Sequence, residues 1–498
     1  MGIGGWLRIG AIGVVMLTGE ARAEDELVAR GRYLATAGDC VACHTAPGGQ
    51  PFAGGLYMPT PFGDISTPNI TPDKATGIGS WTDDQFYRAM HDGIGKDGEY
   101  LYPVFPFPWF TKVTRTDVQA IKAYLFSLAP VAAPRKPLRL GFPFNIRAGL
   151  AAWRAAFFKP GEFAPSPEQG ELVNRGAYLV EGLGHCGECH NSNAMFGASA
   201  WSGRLEGGEI EGWYAPTLRA DGRNGLASWS EDQIATYLKT GAAPGKGVAL
   251  GPMQETIEAS LSHLSTDDLR AMAAYLKSQA NGGGATAPAA ATTAEAGTDA
   301  FLSHCAFCHG ADGRGTPGMV PALAGNGAVQ AKGPENIIRV VLGGLDASHD
   351  MGPMPAVGAG MSDADVAAVA NYVRTAWGND APADTGAGSV AELRKTTSTM
   401  LAGNLEDGCP ASPDSHFADA AAGLAGARSP ELLDRIQAAL PPLRAAGLAD
   451  DAIVNGLTAA YCPAALADSG ADQALRASRL GNFAVLVYSQ LKQAGPSP

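Results

Sequence analysis

A five-residue pattern occurs three times and limits what this chain can become: CVACH at Cys40 to His44, CGECH at Cys186 to His190, and CAFCH at Cys305 to His309. Two thiols at this spacing fall on one helical turn, where they can add to the two vinyl groups of a single porphyrin. The adjoining His then comes beneath the iron as proximal ligand. The pattern predicts three covalently bound c-type haems, held by Cys40, Cys43, Cys186, Cys189, Cys305 and Cys308, with His44, His190 and His309 on iron. Structural zinc would need paired C-x-x-C units about 15 to 20 residues apart, and the units here are far more widely spaced. Thioredoxin-type exchange uses two thiols but has no use for the trailing His.

Each copy belongs to a longer repeat. ELVARGRYLATAGDCVACH and ELVNRGAYLVEGLGHCGECH are nearly the same helix twice, with GTDAFLSHCAFCH a shorter third version. Behind them come TRTDVQAIKAYL from Thr114, STDDLRAMAAYL from Ser265 and SDADVAAVANYV from Ser362. Each starts with Ser or Thr followed three positions later by Asp, a capping-box-like start, and continues with apolar residues at helical spacing up to a Tyr. An N-terminal and a C-terminal helix crossing over a haem is the cytochrome c arrangement. The predicted fold is all-α, with three tandem cytochrome c domains and a small C-terminal helical module.

A middle element, SWTDDQFYRAM from Ser80, SWSEDQIATYL from Ser228 and GPENIIRVVLGG from Gly333, serves as a ruler for the sixth iron ligand. Met253 lies 25 positions after Ser228, and Met354 lies 21 positions after Gly333 in the third unit. Both are placed in Gly/Pro-rich turns that can aim a thioether at the distal face. His/Met ligation favours ferrous iron and leaves no open position. Met351 and Met361 compete with Met354. The same count from Ser80 lands on Phe105, which cannot ligate iron. Met90 is the preferred replacement, with Met58 and then His91 behind it; Phe105 is expected against the porphyrin edge together with Phe107 and Trp109.

The N-terminus has one Arg, an apolar run from Ile9 to Leu17 and Ala21-Arg22-Ala23, a secretory leader cleaved after Ala23. The run is shorter than the roughly 18 residues that span a bilayer. A net charge of -13 excludes nucleic acid as a partner. Residues 134–160 run against that charge: Arg135, Lys136, Arg139, Arg147, Arg154 and Lys159 interleave with Phe142, Phe144, Trp153, Phe157 and Phe158. That composition suits either peripheral contact with an anionic membrane or a docking face, or else a strap between the first two haem units. Mobile linkers are expected at Asn281 to Gly297 and Asp380 to Ser389. Cys409 and Cys462, left over after haem attachment, suggest a disulfide in the last module. The resulting division is a leader over 1–23 and haem units over 24–130, 166–280 and 297–379. A connector covers 131–165, linkers 281–296 and 380–395, and the helical module 396–498.

The run from Phe52 to Phe110, the connector FPFNIRAGLAAWRAAFFKPGEF and NRGAYLVEGLGHCGECH together resemble the tri-haem cytochrome c subunit of membrane-associated periplasmic dehydrogenases acting on alcohols, gluconate and aldehydes. The resemblance spans Asp25 to Asn379. It implies an electron-transfer subunit rather than an enzyme, on the outer face of the cytoplasmic membrane in the periplasm. Its partners would be a catalytic dehydrogenase subunit of molybdopterin/Fe-S, PQQ or flavin type, and ubiquinone or a terminal oxidase as acceptor. The alcohol and sugar branch usually carries Tyr-Pro-Ala-Met-Pro-Tyr where this chain has Phe105. Phe105, with EGWYAPTL at Glu211 to Leu218, is more similar to subunits paired with molybdopterin hydroxylases of aldehydes or N-heterocycles. A peroxidase-like haem enzyme with an open first haem, and a free multihaem shuttle, are the alternative readings.

Overall fold

The computed structural model describes residues 25–191, 205–220, 225–243, 245–279, 295–317, 319–347, 351–397, 409, 415–424, 429–467 and 473–494. The expected leader and residues 281–294 of the first linker lie outside the described residues. The described chain is mostly helical. Its first part contributes α1 (25–37), α2 (Asp83–Asp92) and α3 (Arg115–Ser127). The second contributes α4 (Glu171–Tyr178), α5 (Glu231–Thr240), α6 (Pro252–Ala259) and α7 (Thr266–Ser278). Then follow α8 (Glu295–His304), α9 (Glu335–Gly343), α10 (Asp363–Thr375) and α11 (Ala387–Thr396). The last described helices are α12 (Ser429–Ala445), α13 (Asp450–Leu466) and α14 (Gln473–Gln493).

One crossing occurs three times. α1 meets α3 at Gly31, where an added Cβ would run into the carbonyl of Ala120 and the Cβ of Tyr124. Gly176 of α4 stands in the same relation to Ala271 and Tyr275 of α7, and Gly297 of α8 to Ala368 and Tyr372 of α10. Glycine is required by close backbone approach, since all three lie in ordinary helical conformation. The distance from this Gly to the first motif Cys is nine residues, then ten, then eight. In the second unit the chain runs on from α4 into a π-helical turn, Leu179–Leu183, which absorbs the additional residue.

The first two units share one apolar core that includes Leu34, Phe110, Ile121, Leu183, Ile257 and Leu269. A reciprocal polar network ties them. Asp117 of α3 accepts from Arg30 Nε (2.8 Å) and from Tyr178 Oη (2.6 Å) of the other unit. Asp268 of α7 accepts from Arg175 Nε (2.8 Å) and from Tyr33 Oη (2.6 Å). These Asp residues were expected to complete capping boxes. Thr114, Ser265 and Ser362 do cap their helices, but the carboxylates of Asp117 and Asp268 are used across the interface. Complete capping boxes form instead at Thr82–Gln85 and Ser230–Gln233.

Small antiparallel sheets are an addition to the all-helical expectation. β1 (Tyr57–Thr60) pairs with β2 (Gly63–Ser66), which pairs with β3 (Arg139–Leu140) of the connector. β4 (Gly208–Ile210) and β5 (Trp213–Ala215) form a hairpin whose two turn residues, Glu211 and Gly212, have φ of 51° and 77°, as a two-residue hairpin turn of primed type requires.

The second linker is hydrogen-bonded to the third unit. Arg374, fully buried on α10, donates to the carbonyls of Pro382 (2.9 Å), Gly333 (2.6 Å) and Lys332 (3.2 Å), and Asn371 brackets both backbone groups of Thr385. The connector straps the first unit: Lys136 bonds the Gly55 carbonyl, Arg147 that of Tyr100, and Arg154 lies over Tyr100, Phe107 and Phe158. Phe142 stays 81 % exposed at its tip and Ile146 51 %.

Replacing Gly31 or Gly176 with Ala tests the crossing. Inside an isolated helix the change would stabilise by about 1 kcal/mol. Here the methyl meets backbone that cannot move aside, so the variants should lose roughly 1–3 kcal/mol or more. Thermal melts of the holoprotein at or above the unmodified value would contradict the crossing.

Candidate functional site

Two cavities are built around the first two motifs. Cys40, Cys43 and His44 line one, together with Met58, Met90, Phe105, Phe86 and Trp81. Cys186, Cys189 and His190 line the other, together with Met253, Ile234, Trp229 and Leu276. Both walls are predominantly apolar, which suits a porphyrin face.

The histidines are set in one way. Nδ1 of His44 lies 2.8 Å from the Pro68 carbonyl, that of His190 2.6 Å from Pro216, and that of His309 3.2 Å from Pro321. Burial lowers the pKa of each ring. A neutral ring donating from Nδ1 to a carbonyl keeps its Nε2 lone pair free, the state a metal-bound imidazole needs. Burial pushes Cys40, Cys186 and Cys189 up to about 12 and Cys43 and Cys305 up to about 11. Such groups persist as thiols at neutral pH, which suits thioether attachment and disfavours thiolate redox exchange. The donor set therefore fits haem c.

In the same cavity as His44, Met90 comes from α2 and is 6 % exposed, Met58 comes from β1, and Phe105 adds to the lining. His91 is not part of this wall. Its Nδ1 pairs with Asp92 at 2.8 Å and its ring stacks on Tyr87. Phe105 meets Phe110 edge-on at 5.6 Å. Its expected companions lie elsewhere. Phe107 is fully buried against Phe158, Trp153 and Gly93. Trp109 reaches the second motif, where Nε1 donates to Glu188 (2.7 Å) and the ring lies so close to Gly187 that a Cβ there would collide. Met253 stands in the first turn of α6 rather than in an irregular turn. Met354 forms a bridge with Leu345, while Met361 is buried in the core between α9, α10 and α11. Cys409 and Cys462 are bonded to each other.

Asp39 and His185 line both cavities. Each is the residue directly before the first Cys of its motif, and each has positive φ, 51° and 35°. Their role had a sequence signal, the equivalent position in the repeat, but nothing in one dimension shows that the two units turn these positions toward one another. His185 Nδ1 lies 2.8 Å from the Leu183 carbonyl, and burial lowers its pKa. Oδ1 of Asp39 is buried without a hydrogen-bond partner, and burial, followed by the charge of Glu255, pushes its carboxyl up to about 7.

The third unit closes the rim of the second cavity through Gly325 to Ala328 and Asn336. Asn336 brackets Tyr214, accepting from its N–H and donating to its carbonyl, both at 2.9 Å. Arg339 donates to the Gly212 carbonyl at 2.7 Å.

The chain matches the Cytochrome c family over residues 28–129 and 294–377. It is 43% identical over 376 residues to a subunit of the nicotinate dehydrogenase of Pseudomonas putida, covering 73% of this chain but only 31% of that longer protein. It is 40% identical to the gluconate 2-dehydrogenase cytochrome c subunit of Pantoea cypripedii, covering 75% of this chain and 91% of the relative. The fructose dehydrogenase cytochrome subunit of Gluconobacter japonicus is 36% identical, over 75% of this chain and 84% of its own length.

Asp39 gives a pH prediction. A carboxyl whose folded pKa is raised contributes stability that is complete below its unfolded value, about 3.9, and that is lost as pH rises through about 7. Asp39→Asn should therefore flatten the decline of melting temperature across that interval. Parallel curves for the variant and the unmodified protein would contradict it.

Proposed function

We propose, from the premise that this chain belongs to the cytochrome c subunits of dehydrogenases, that it is a three-haem relay carrying electrons from a catalytic dehydrogenase subunit to ubiquinone or a terminal oxidase. It is an electron-transfer subunit, and oxidation of the substrate is left to its partner. The relay comprises three tandem cytochrome c domains, over 24–130, 166–280 and 297–379, followed by the helical module of 396–498. One haem c is attached at Cys40 and Cys43 with His44, one at Cys186 and Cys189 with His190, and one at Cys305 and Cys308 with His309.

The observation that carries this reading is the shared wall. Asp39 and His185 belong to both cavities, so centres held by the first two motifs are neighbours through a single layer of side chains. Bound haem supplies a one-electron Fe(II)/Fe(III) couple at each site. The protein's part is to hold the imidazoles neutral and oriented, to exclude water with apolar walls, and to keep the centres close. Met90, Met253 and Met354 are the distal ligands. Both Met90 and Met58 line the first cavity, and Met90 is favoured because a helix fixes its direction and its burial.

The partner is a molybdopterin and Fe-S hydroxylase of N-heterocycles or aldehydes, with PQQ or flavin dehydrogenases as the second class. Support comes from Phe105 in place of a turn Met and from the likeness to the nicotinate dehydrogenase subunit. The leader ending at Ala23 directs the chain to the periplasm. No helix among the described residues is long and apolar enough to cross a membrane. Contact with the outer face of the cytoplasmic membrane falls to the connector tip at Phe142 and Ile146, flanked by Arg139 and Arg147.

Mass measurement of the matured protein should give three covalent haems per chain; two or fewer would contradict the count. Met90→Ala should let carbon monoxide bind one ferrous haem per chain and should lower that haem's potential, because a soft thioether no longer favours Fe(II). Met58→Ala should do neither. Carbon monoxide binding to the unmodified protein, or an effect of Met58→Ala alone, would overturn the assignment and favour a haem enzyme.

A further inference from the structure

The first two distal sulfurs are carried on helices, Met90 on α2 and Met253 on α6. Met354 is not. It sits in the loop between α9 and α10, and among the described residues its backbone pairs with Leu345 of the same loop, N–H to carbonyl in both directions at 2.8 and 2.9 Å. A thioether is a weak, neutral donor, so its retention on iron depends on how firmly its backbone is held. Within its own unit the loop is tied by Gly352 N–H to the Met319 carbonyl at 2.8 Å, and by Arg394 of α11 to the carbonyls of Gly358 and Met361, both at 3.0 Å.

The C-terminal helices hold it at two further points, which flank Met354 on its N-terminal side. Asn455 of α13 accepts from Ala347 N–H at 3.1 Å and donates to the Ala347 carbonyl at 2.8 Å. Ala347 itself is 1 % exposed and is part of the module's apolar core, with Phe417, Ile453, Leu457, Phe483 and Val487. On the other side of the loop, the Tyr488 ring of α14 lies against Gly352, so close that an added Cβ would come within 2.7 Å of it. Met354 is two residues from Gly352. Cys462 follows Asn455 on α13 by seven residues, two helical turns, so the bond to Cys409 braces the face that carries the clamp.

We propose that the C-terminal module is a clamp on the distal-ligand loop of the third haem unit, with Asn455 as its positioning residue and Tyr488 closing on Gly352. The proposal rests on the reading of Met354 as that haem's sixth ligand. The module thereby secures the one sulfur that no helix carries, and it keeps the third iron closed to small ligands.

The test uses full-length holoprotein and three variants. Asn455→Leu removes both bracketing hydrogen bonds at nearly constant volume. Gly352→Ala disturbs the contact from the loop side and leaves the module's own sequence intact, so a folding failure of the first variant does not decide the outcome. Met354→Ala removes the sulfur. Two readouts follow ligation rather than stability: carbon monoxide bound per ferrous chain, and the pH at which the far-red sulfur-to-ferric-iron absorption disappears. Met354→Ala should bind one carbon monoxide per chain. Asn455→Leu and Gly352→Ala should each retain the far-red absorption at pH 7, bind carbon monoxide at the same single haem at least about ten-fold faster than the unmodified protein, and lose one third of that absorption at a lower pH. Two lost hydrogen bonds are of the size such a factor needs. If Met354→Ala binds no carbon monoxide, the ligand reading fails and takes the clamp with it. If Met354→Ala opens one haem while both clamp variants match the unmodified protein, or differ from it only in melting temperature, the clamp alone is overturned.

Discussion

Everything in this molecule depends on two helices approaching until backbone touches backbone. At Gly31, Gly176 and Gly297 there is no room for a methyl group above the carbonyls of Ala120, Ala271 and Ala368. The crossing fixes where each N-terminal helix ends, and its end delivers the motif cysteines and His to their place. A slight separation would displace the imidazole from its carbonyl partner and open the apolar wall to water. The unit tolerates a Gly-to-Cys separation of eight, nine or ten positions because the chain there can take a π turn, as it does at Leu179–Leu183, whereas the crossing itself admits no such variation.

Joining the units is a different problem, and side-chain amides solve it repeatedly. Asn336 brackets Tyr214, Asn371 brackets Thr385 and Asn455 brackets Ala347, each accepting from the N–H and donating to the carbonyl of one residue distant in sequence. An amide used this way satisfies both backbone groups of one residue from a single side chain. The first two units are bound more firmly still. Their interface exchanges Tyr33 and Tyr178 between Asp268 and Asp117, and Trp109 of one lies on the motif of the other. The strongest junction thus lies where two cavities share a wall.

Much of this was legible in one dimension. The motif names its own chemistry, and the repeats around it locate the helices and the crossing. Cys409 and Cys462, left over by subtraction, are bonded to each other. What was not legible depended on how units meet. Asp117 and Asp268 look like capping residues until the neighbouring unit's Tyr is beside them. DAPADTGAGS has a linker's composition, yet Arg374 and Asn371, several residues away, pin it down. Trp109 reads as part of the first cavity because Phe105 is, but a helical turn aims the two rings at different units. Composition records which residues are available, and only tertiary contact decides which partner each one takes.

We propose that one chain holds three closed, communicating redox centres. A spectroelectrochemical titration of the intact holoprotein, counting electrons taken up per chain, decides this. Three one-electron equivalents are predicted, with the first two centres, which share Asp39 and His185, shifting one another's potentials. Uptake of fewer than three electrons, or three centres that titrate with complete independence, would contradict it.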